Sequence, residues 1–363
     1  MAVPDEHSRR DFLQGKAAAH TLVDKARAWV DAKSELLSVE LDAPSVLHVR
    51  ICRQAMACQF ALQFHEADRE APAAAMVALD LIEQLESQLT VYRDLSDVIE
   101  INRTASTQAV KVESGLFRLL ELATRLNRET ERAFDITSHP LSQVWGFLRR
   151  AGQLPHQADI DEALLKVGGE KVQLDPHKQT IQYLQDGVQI NFNAIGKGYA
   201  LDRAAEQLDS QGLRDYLWHA GGSSVLARGA NRADDRGAWT VGLCHPDEPG
   251  QHIAEFHLRN QGLATAGGAS QFFQHEGRRL SHVIDPRTGW PAEGVLSATV
   301  LAPSAAEADA LATAFFVMGS AAVADYCDLH PKIGAVLVCP GEQSSRISVH
   351  AFGLTGDSWT PVG

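Results

Sequence analysis

Asp309 and Thr313 stand four residues apart, behind Ser304 and Glu307. Serine followed three residues later by glutamate is a capping-box spacing, so a helix is predicted to begin just after Ser304. On that helix Asp309 and Thr313 share one face, a turn apart. A carboxylate stacked on a hydroxyl offers hard oxygens to a Mg²⁺-type cation, an ion that also engages phosphates. The neighbours Ala308, Ala310, Leu311, Ala312 and Ala314 put Asp309 on a small-residue, buried face. An unpaired carboxylate there is costly and draws a cation. Upstream, a β-like run ends at His282, followed by turns at Asp285-Pro286 and Thr288-Gly289. A histidine so placed can take a proton from an attacking hydroxyl or hold a phosphate, and the residues alone leave both roles open.

A second group lies at Asn193–Gly198, where two glycines flank Lys197 ahead of a helical stretch. Glycine lets another group approach the backbone closely, and a helix N-terminus presents free N–H groups to phosphate. Lys197 adds a point charge for a pyrophosphate.

These groups must be held by strands and helices whose patterns differ. Alternating Val49, Ile51, Phe60, Leu62 and Phe64 predict strand over 47–64. Pro72 opens a helix through Leu89, and Ser114 caps a second with a stripe from Leu116 to Leu126. Short strands are expected at 171–174, 180–184 and 188–192, then a helix over 196–208. A series of strands runs from Tyr216 to Ile284. After the 304–318 helix come a short helix through Leu329 and strands at 333–339 and 347–352. Strand runs broken by a few helices, without βαβ alternation, predict an α+β fold with mixed and antiparallel sheets and flanking helices.

The chain has 363 residues, ample for a full core, with 45% hydrophobic and 22% charged residues. A net charge of −13 with no basic run argues against a nucleic-acid surface. Cys52, Cys58, Cys244, Cys327 and Cys339 form no CxxC pair, which fits neither a disulfide framework nor structural zinc. No run of about 18 apolar residues predicts a membrane span. Ser8-Arg9-Arg10-Asp11-Phe12-Leu13 is twin-arginine-like, but Lys16, Asp24, Lys25, Arg27 and Asp31 interrupt the apolar stretch an export signal needs. A retained amphipathic helix and a cytoplasmic location are therefore expected. The expected division is a charged helical extension over 1–45, a body over 46–355 and a tail over 356–363.

The blocks carry a resemblance as well. Ser281-His282-Val283-Ile284-Asp285-Pro286, with Thr288-Gly289 and Pro291, and the helix Glu307-Ala308-Asp309-Ala310-Leu311-Ala312-Thr313-Ala314 resemble the C-terminal motifs of the FAD:protein FMN transferases, the ApbE-like flavin transferases. Ala133-Phe134-Asp135 with Trp145-Gly146-Phe147 is similar to that family's AFD…WGF block, and Asn193–Asp202 to its GGIAKGYAVD block. Ala220-Gly221-Gly222 follows in order, so the likeness covers about residues 50 to 355. It implies an ApbE-like, T-fold-like architecture and Mg²⁺-dependent transfer of FMN from FAD to a threonine or serine hydroxyl of an acceptor flavoprotein, releasing AMP. By resemblance, Asp309, Thr313 and the carbonyl of Ala194 are metal ligands, for Mg²⁺ or for Mn²⁺ or Ca²⁺ in its place. Met56, Tyr92, Ala133, Phe134, Asp135, Asn191, Lys197 and Ile284 are FAD contacts, and His282 is catalytic. Asn191 stands where the family has aspartate. Ser223 and Gly268 likewise replace acids, and Ala269 and Ser270 replace a usual tyrosine and arginine. Nucleotide binding is thus better kept than acceptor recognition. An FAD pyrophosphatase giving FMN and AMP, or a non-catalytic FAD-binding protein, are the alternatives.

Overall fold

The computed structural model describes residues 37–38, 48–68, 70–147, 154–248, 250–267, 272–275, 278–341 and 347–362. In chain order its elements are β1 (Leu37–Ser38), β2 (His48–Ala55), β3 (Cys58–His65), α1 (Ala71–Leu89), α2 (Asp97–Thr104), β4 (Val110–Lys111), α3 (Ser114–Glu129), α4 (His139–Val144) and α5 (Gln157–Leu164). There follow β5 (Val172–Asp175), β6 (Thr180–Tyr183), α6 (Gly196–Ser210), β7 (Tyr216–Ala220), β8 (Ser224–Arg228), β9 (Trp239–Cys244), β10 (His252–Leu258), β11 (Gly262–Gly267), β12 (Phe272–His275) and β13 (Arg278–Ser281). The chain ends with β14 (Ser297–Ala302), α7 (Ala305–Leu329), β15 (Gly334–Pro340), β16 (Ile347–Phe352) and β17 (Trp359–Pro361).

The alternating run at 47–64 folds back on itself at Met56-Ala57, giving the β2–β3 hairpin in register from His48↔His65 to Ala55↔Cys58. It forms one edge of an eight-stranded sheet ordered β16-β15-β14-β11-β8-β7-β3-β2. All its described pairings are antiparallel. Side chains alternate across the pleat, so one face of this sheet meets α1, α6 and α7 in the main core. The other face meets a second sheet, β1-β9-β10-β17, around Leu217, Val225, Trp239, Phe256 and Leu263. Burying each such side chain stabilises the fold by about 1.5–3 kcal/mol. The fold class is therefore α+β, as the strand pattern predicts.

α7 is apolar enough by length to resemble a membrane span, but half of its apolar window is buried. It lies against β11 and β14 with Leu311, Phe315 and Phe316 in the core. Gly319, at φ 75° and ψ 173°, breaks it into the two expected helices. α1 begins at Ala71 with Pro72 in its first turn, as read. α3 begins at Ser114, yet its cap is Glu113, whose carboxylate accepts the Leu116 amide at 3.0 Å. The strand expected at 188–192 is absent, and α2, capped by Ser96, was not anticipated. In place of a neighbouring strand, the Asn102 carboxamide on α2 serves Ile190: its Nδ2 donates to Ile190 O at 2.9 Å and its Oδ1 accepts Ile190 N at 2.8 Å.

Two short strands lie outside the expected body over 46–355. β17 pairs with β10 from Ala254↔Pro361 to Phe256↔Trp359, so 359–361 of the C-terminal tail edges the second sheet. Leu37 and Ser38 pair with Leu243 and Gly242, so this part of the N-terminal extension is strand, not helix. The expected amphipathic helix itself lies outside the described residues.

On the sheet face away from α6 and α7, His219 accepts from the Arg50 guanidinium at 2.8 Å. Burial, and then the adjacent Arg50 charge, push the imidazole down to about 4.

Candidate functional site

Asp309 sits in the second turn of α7, only 6% exposed. The helix starts there because the Ser304 hydroxyl accepts the Glu307 amide at 3.2 Å, the cap read from the sequence. The Asp309 carboxylate is met by three donors. Ser224 Oγ lies 2.9 Å from Oδ1, the Gly198 amide 3.1 Å from Oδ2, and Lys197 Nζ 3.7 Å from Oδ1. Ser224 comes from β8, which pairs with β11 beneath α7; Lys197 and Gly198 come from the first turn of α6.

Gly198 has two tasks. Its amide, in the first turn of α6 and so without a partner in the helix ladder, goes to Asp309. Its missing side chain lets α6 and α7 meet, since a Cβ there would lie 2.1 Å from the Ala305 carbonyl oxygen. The reverse bond also exists. Asp202, one turn after Gly198, accepts the Ala305 amide at 2.9 Å and the Ala306 amide at 2.8 Å. Desolvation pushes the Asp202 carboxyl up to about 6, although the Ala306 and Ala305 amides pull it the other way.

The structure therefore brings Lys197, Gly198 and Ser224 to Asp309, with Thr313 half-buried one turn beyond it on α7 and Ala194 in the segment that leads into α6. Among the described residues no cluster of three or more His, Cys, Asp or Glu side chains forms a metal cage. One carboxylate, one hydroxyl and one carbonyl suit a hard ion that completes its shell with water and phosphate oxygens. The Lys197 ammonium against Oδ1 shows that this carboxylate draws positive charge.

The remaining sequence-selected residues are distributed along the 133–137 and 188–196 segments and three loops. Asn191 is buried; its amide donates to Ile136 O at 2.8 Å and its Oδ1 accepts the Asn193 amide at 3.1 Å. This ties the Ala133-Phe134-Asp135 segment to the approach of α6. Ala133 and Phe134 are buried. Asp135 is buried too; one oxygen accepts Thr137 N at 2.8 Å and Thr137 Oγ1 at 2.5 Å, the other Gly169 N at 3.0 Å. Burial raises its pKa against those hydrogen bonds. Three internal donors thus hold its carboxylate in place. Ile284 lies 9% exposed in a satellite core with Leu141, Trp145 and Ile160.

Met56 and Ala57 form the β2–β3 turn at φ 49° and 58°. Left-handed backbone at two successive non-glycine residues is uncommon, and such strain gathers at functional sites. Beside this turn the Gly221 amide donates to Gln59 O at 2.9 Å, so the Gly221-Gly222 turn packs against the hairpin. Tyr92 is 66% exposed on the loop between α1 and α2, which Ser96 fixes by donating to Thr90 O at 2.5 Å. His282 is half-buried at the bend directly after β13. The turn after it closes by Gly289 N to Asp285 O at 2.8 Å and Ala292 N to Val283 O at 2.8 Å, as the Asp-Pro and Thr-Gly signals predict.

Sequence reasoning missed Ser224 and Asp202. Ser224 follows a Gly-Gly-Ser run with no spacing to Asp309, and the pair is 85 residues apart in the chain. A cleft of about 550 Å³ between α4, α5 and 187–189 is lined by Pro140, Gln143, His156, Lys166 and Gln189. None of the residues selected from the sequence lines it.

Residues 56–337 match the family model described as the ApbE family. An FAD:protein FMN transferase of Haemophilus influenzae is 30% identical over 247 residues, covering 66% of this chain and 70% of the relative. One from Treponema pallidum is 32% identical over 291 residues, covering 76% and 79%. The solved ApbE protein of Thermotoga maritima superposes with a TM-score of 0.74 at 26% identity, over 83% of this chain and 96% of that one.

Proposed function

The chain belongs to the ApbE family, and from that premise we propose that it transfers FMN from FAD to a hydroxyl of an acceptor flavoprotein. Relatives at about 30% identity bear the name FAD:protein FMN transferase, which supports the activity. The observation that carries the reading is the buried Asp309 carboxylate, held at the junction of two helix N-termini with Lys197 beside it. A buried carboxylate draws a hard cation, and the Lys197 ammonium beside it is a point charge suited to an anionic phosphate.

In this reading Asp309, Thr313 and the Ala194 carbonyl hold a divalent cation, Mg²⁺ or Mn²⁺ or Ca²⁺ in its place. Such an ion, when bound, neutralises charge on the reacting phosphoryl group. Lys197 binds the pyrophosphate as a point charge. Met56, Tyr92 and the Ala133–Asp135 segment flank the nucleotide, with Asp135 shaping the segment from within. His282 takes the proton from the threonine or serine hydroxyl of the acceptor. The hydroxyl oxygen forms a bond to the FMN-side phosphorus, the bond to AMP breaks, and AMP leaves.

Incubation with FAD and Mg²⁺, with and without a threonine-containing acceptor, tests this. Flavin bound to the acceptor together with AMP supports transfer. Free FMN and AMP regardless of the acceptor assigns a pyrophosphatase, and unchanged FAD a binding protein.

A further inference from the structure

We infer that Asp202 is a positioning residue for the cation site: it holds the α7 N-terminus against α6 and so sets where Asp309 stands relative to Ala194 and Lys197. The inference rests on the reading of Asp309 as a metal ligand.

Two helix N-termini meet at Gly198 and Ala305, and their dipoles present like partial charges to one another. Each helix answers with a carboxylate placed one turn inside. Asp309 reaches from α7 to the Gly198 amide of α6, and Asp202 reaches from α6 to the Ala305 and Ala306 amides of α7. Ser304 serves only the Glu307 amide, so without Asp202 two first-turn donors of α7 would lose their acceptor. The contact is tight on both sides of α7. A Cβ on Gly198 or on Gly262 would come within 2.1 Å or 2.6 Å of Ala305 backbone atoms. The register of α7 therefore has one well-defined setting, and both Asp202 oxygens define it. A cation bound by Asp309 draws on that carboxylate, while Asp202 keeps its own bonds and preserves the junction.

Mn²⁺ binding, followed by loss of the free-ion EPR signal with FAD present, is the direct test. Asp202→Asn keeps one acceptor oxygen but turns an NH₂ toward a backbone N–H, so the two termini part. The expected result is a Mn²⁺ midpoint raised roughly 10-fold, with kcat at saturating metal within about 3-fold of wild type. Asp202→Glu keeps the charge and both oxygens one methylene further out, so a smaller rise in the same direction separates geometry from charge. It also carries the test if Asp202→Asn does not fold. Wild-type Mn²⁺ midpoints in both variants, whatever their melting temperatures, overturn the inference. Asp309→Ala distinguishes the two readings. Retained Mn²⁺ binding there defeats the metal assignment itself, whereas its loss beside wild-type binding in the Asp202 variants defeats only the positioning role.

Discussion

Gly198→Ala sets two physical effects against each other. In a helix, alanine is favoured over glycine by about 1 kcal/mol, so propensity alone makes the variant more stable. The junction gives the opposite sign. The added Cβ would stand 2.1 Å from Ala305 O, 2.4 Å from Ala305 C and 2.7 Å from Ala306 N, all backbone atoms. Relief requires the helix ends to separate by roughly 1 Å, in the range of overpacking that costs about 1–3 kcal/mol. Separation also stretches the Asp309–Gly198 and Asp202–Ala305/Ala306 bonds, each charge-assisted and worth about 1.5–3 kcal/mol. The net expectation is a loss of roughly 2–4 kcal/mol, or a melting temperature lower by about 3–5 °C for a chain this size. Gly196→Ala is the internal control, because its nearest neighbours, Phe192 Cβ at 3.7 Å and Leu89 Cδ1 at 3.9 Å, leave ordinary contact distance. That variant is expected to match or slightly exceed wild type. Thermal melts of both, with Mn²⁺ titrations, decide the matter. A Gly198→Ala protein as stable as Gly196→Ala, with an unmoved Mn²⁺ midpoint, refutes the close-contact argument.

Asp309→Ala is expected to abolish metal-dependent flavin transfer, and Thr313→Val to weaken metal binding less, since it removes a neutral ligand; an unchanged Mg²⁺ requirement in Asp309→Ala would place the site elsewhere. His282→Ala is expected to lower transfer by roughly 10²–10⁴-fold with little change in FAD affinity, and equal losses in both would assign His282 to nucleotide binding. His219, held near 4 in the fold against 6.5 for the free side chain, stays neutral in the fold as the unfolded chain takes up a proton. Stability should therefore fall as pH drops from about 6.5 to 4, by up to about 3 kcal/mol from this residue. His219→Gln should flatten that part of the pH–stability curve, and denaturation midpoints at pH 7 and 4.5 that shift equally in both proteins would exclude the effect.

What could be read from the sequence was what rests on local spacing. The Ser304 cap, the Asp309–Thr313 stack and the turns after His282 each depend on residues within four or five positions, and the structure contains all three geometries. The limits of α7, including its division near residue 318, also follow from local pattern. Illegible were the partners supplied across the fold. Ser224, Gly198 and Lys197 reach Asp309 from 85 or more positions away, and no periodicity encodes such meetings. For the same reason the donor that Gly169 supplies to Asp135 from 34 positions away has no local signal. The 188–192 run was misread as strand because its apolar alternation is genuine, but the partner that satisfies Ile190 is the side chain of Asn102.

The reciprocal capping of α6 and α7 joins residues 103 to 111 positions apart. Neither helix start can be completed until the chain between them has closed, so both should be finished late in folding, whatever their local propensity. The entropy of closing such a loop grows only with the logarithm of its length, about 0.6 kcal/mol for each doubling. The surface turns along the enclosed strands, such as 229–238, can therefore gain residues at little thermodynamic cost to the junction. Variation in length is cheap there, while a single methyl group at Gly198 is not. The enclosed segment is where a descendant of this chain can remodel its surface without disturbing the place where the two helices meet.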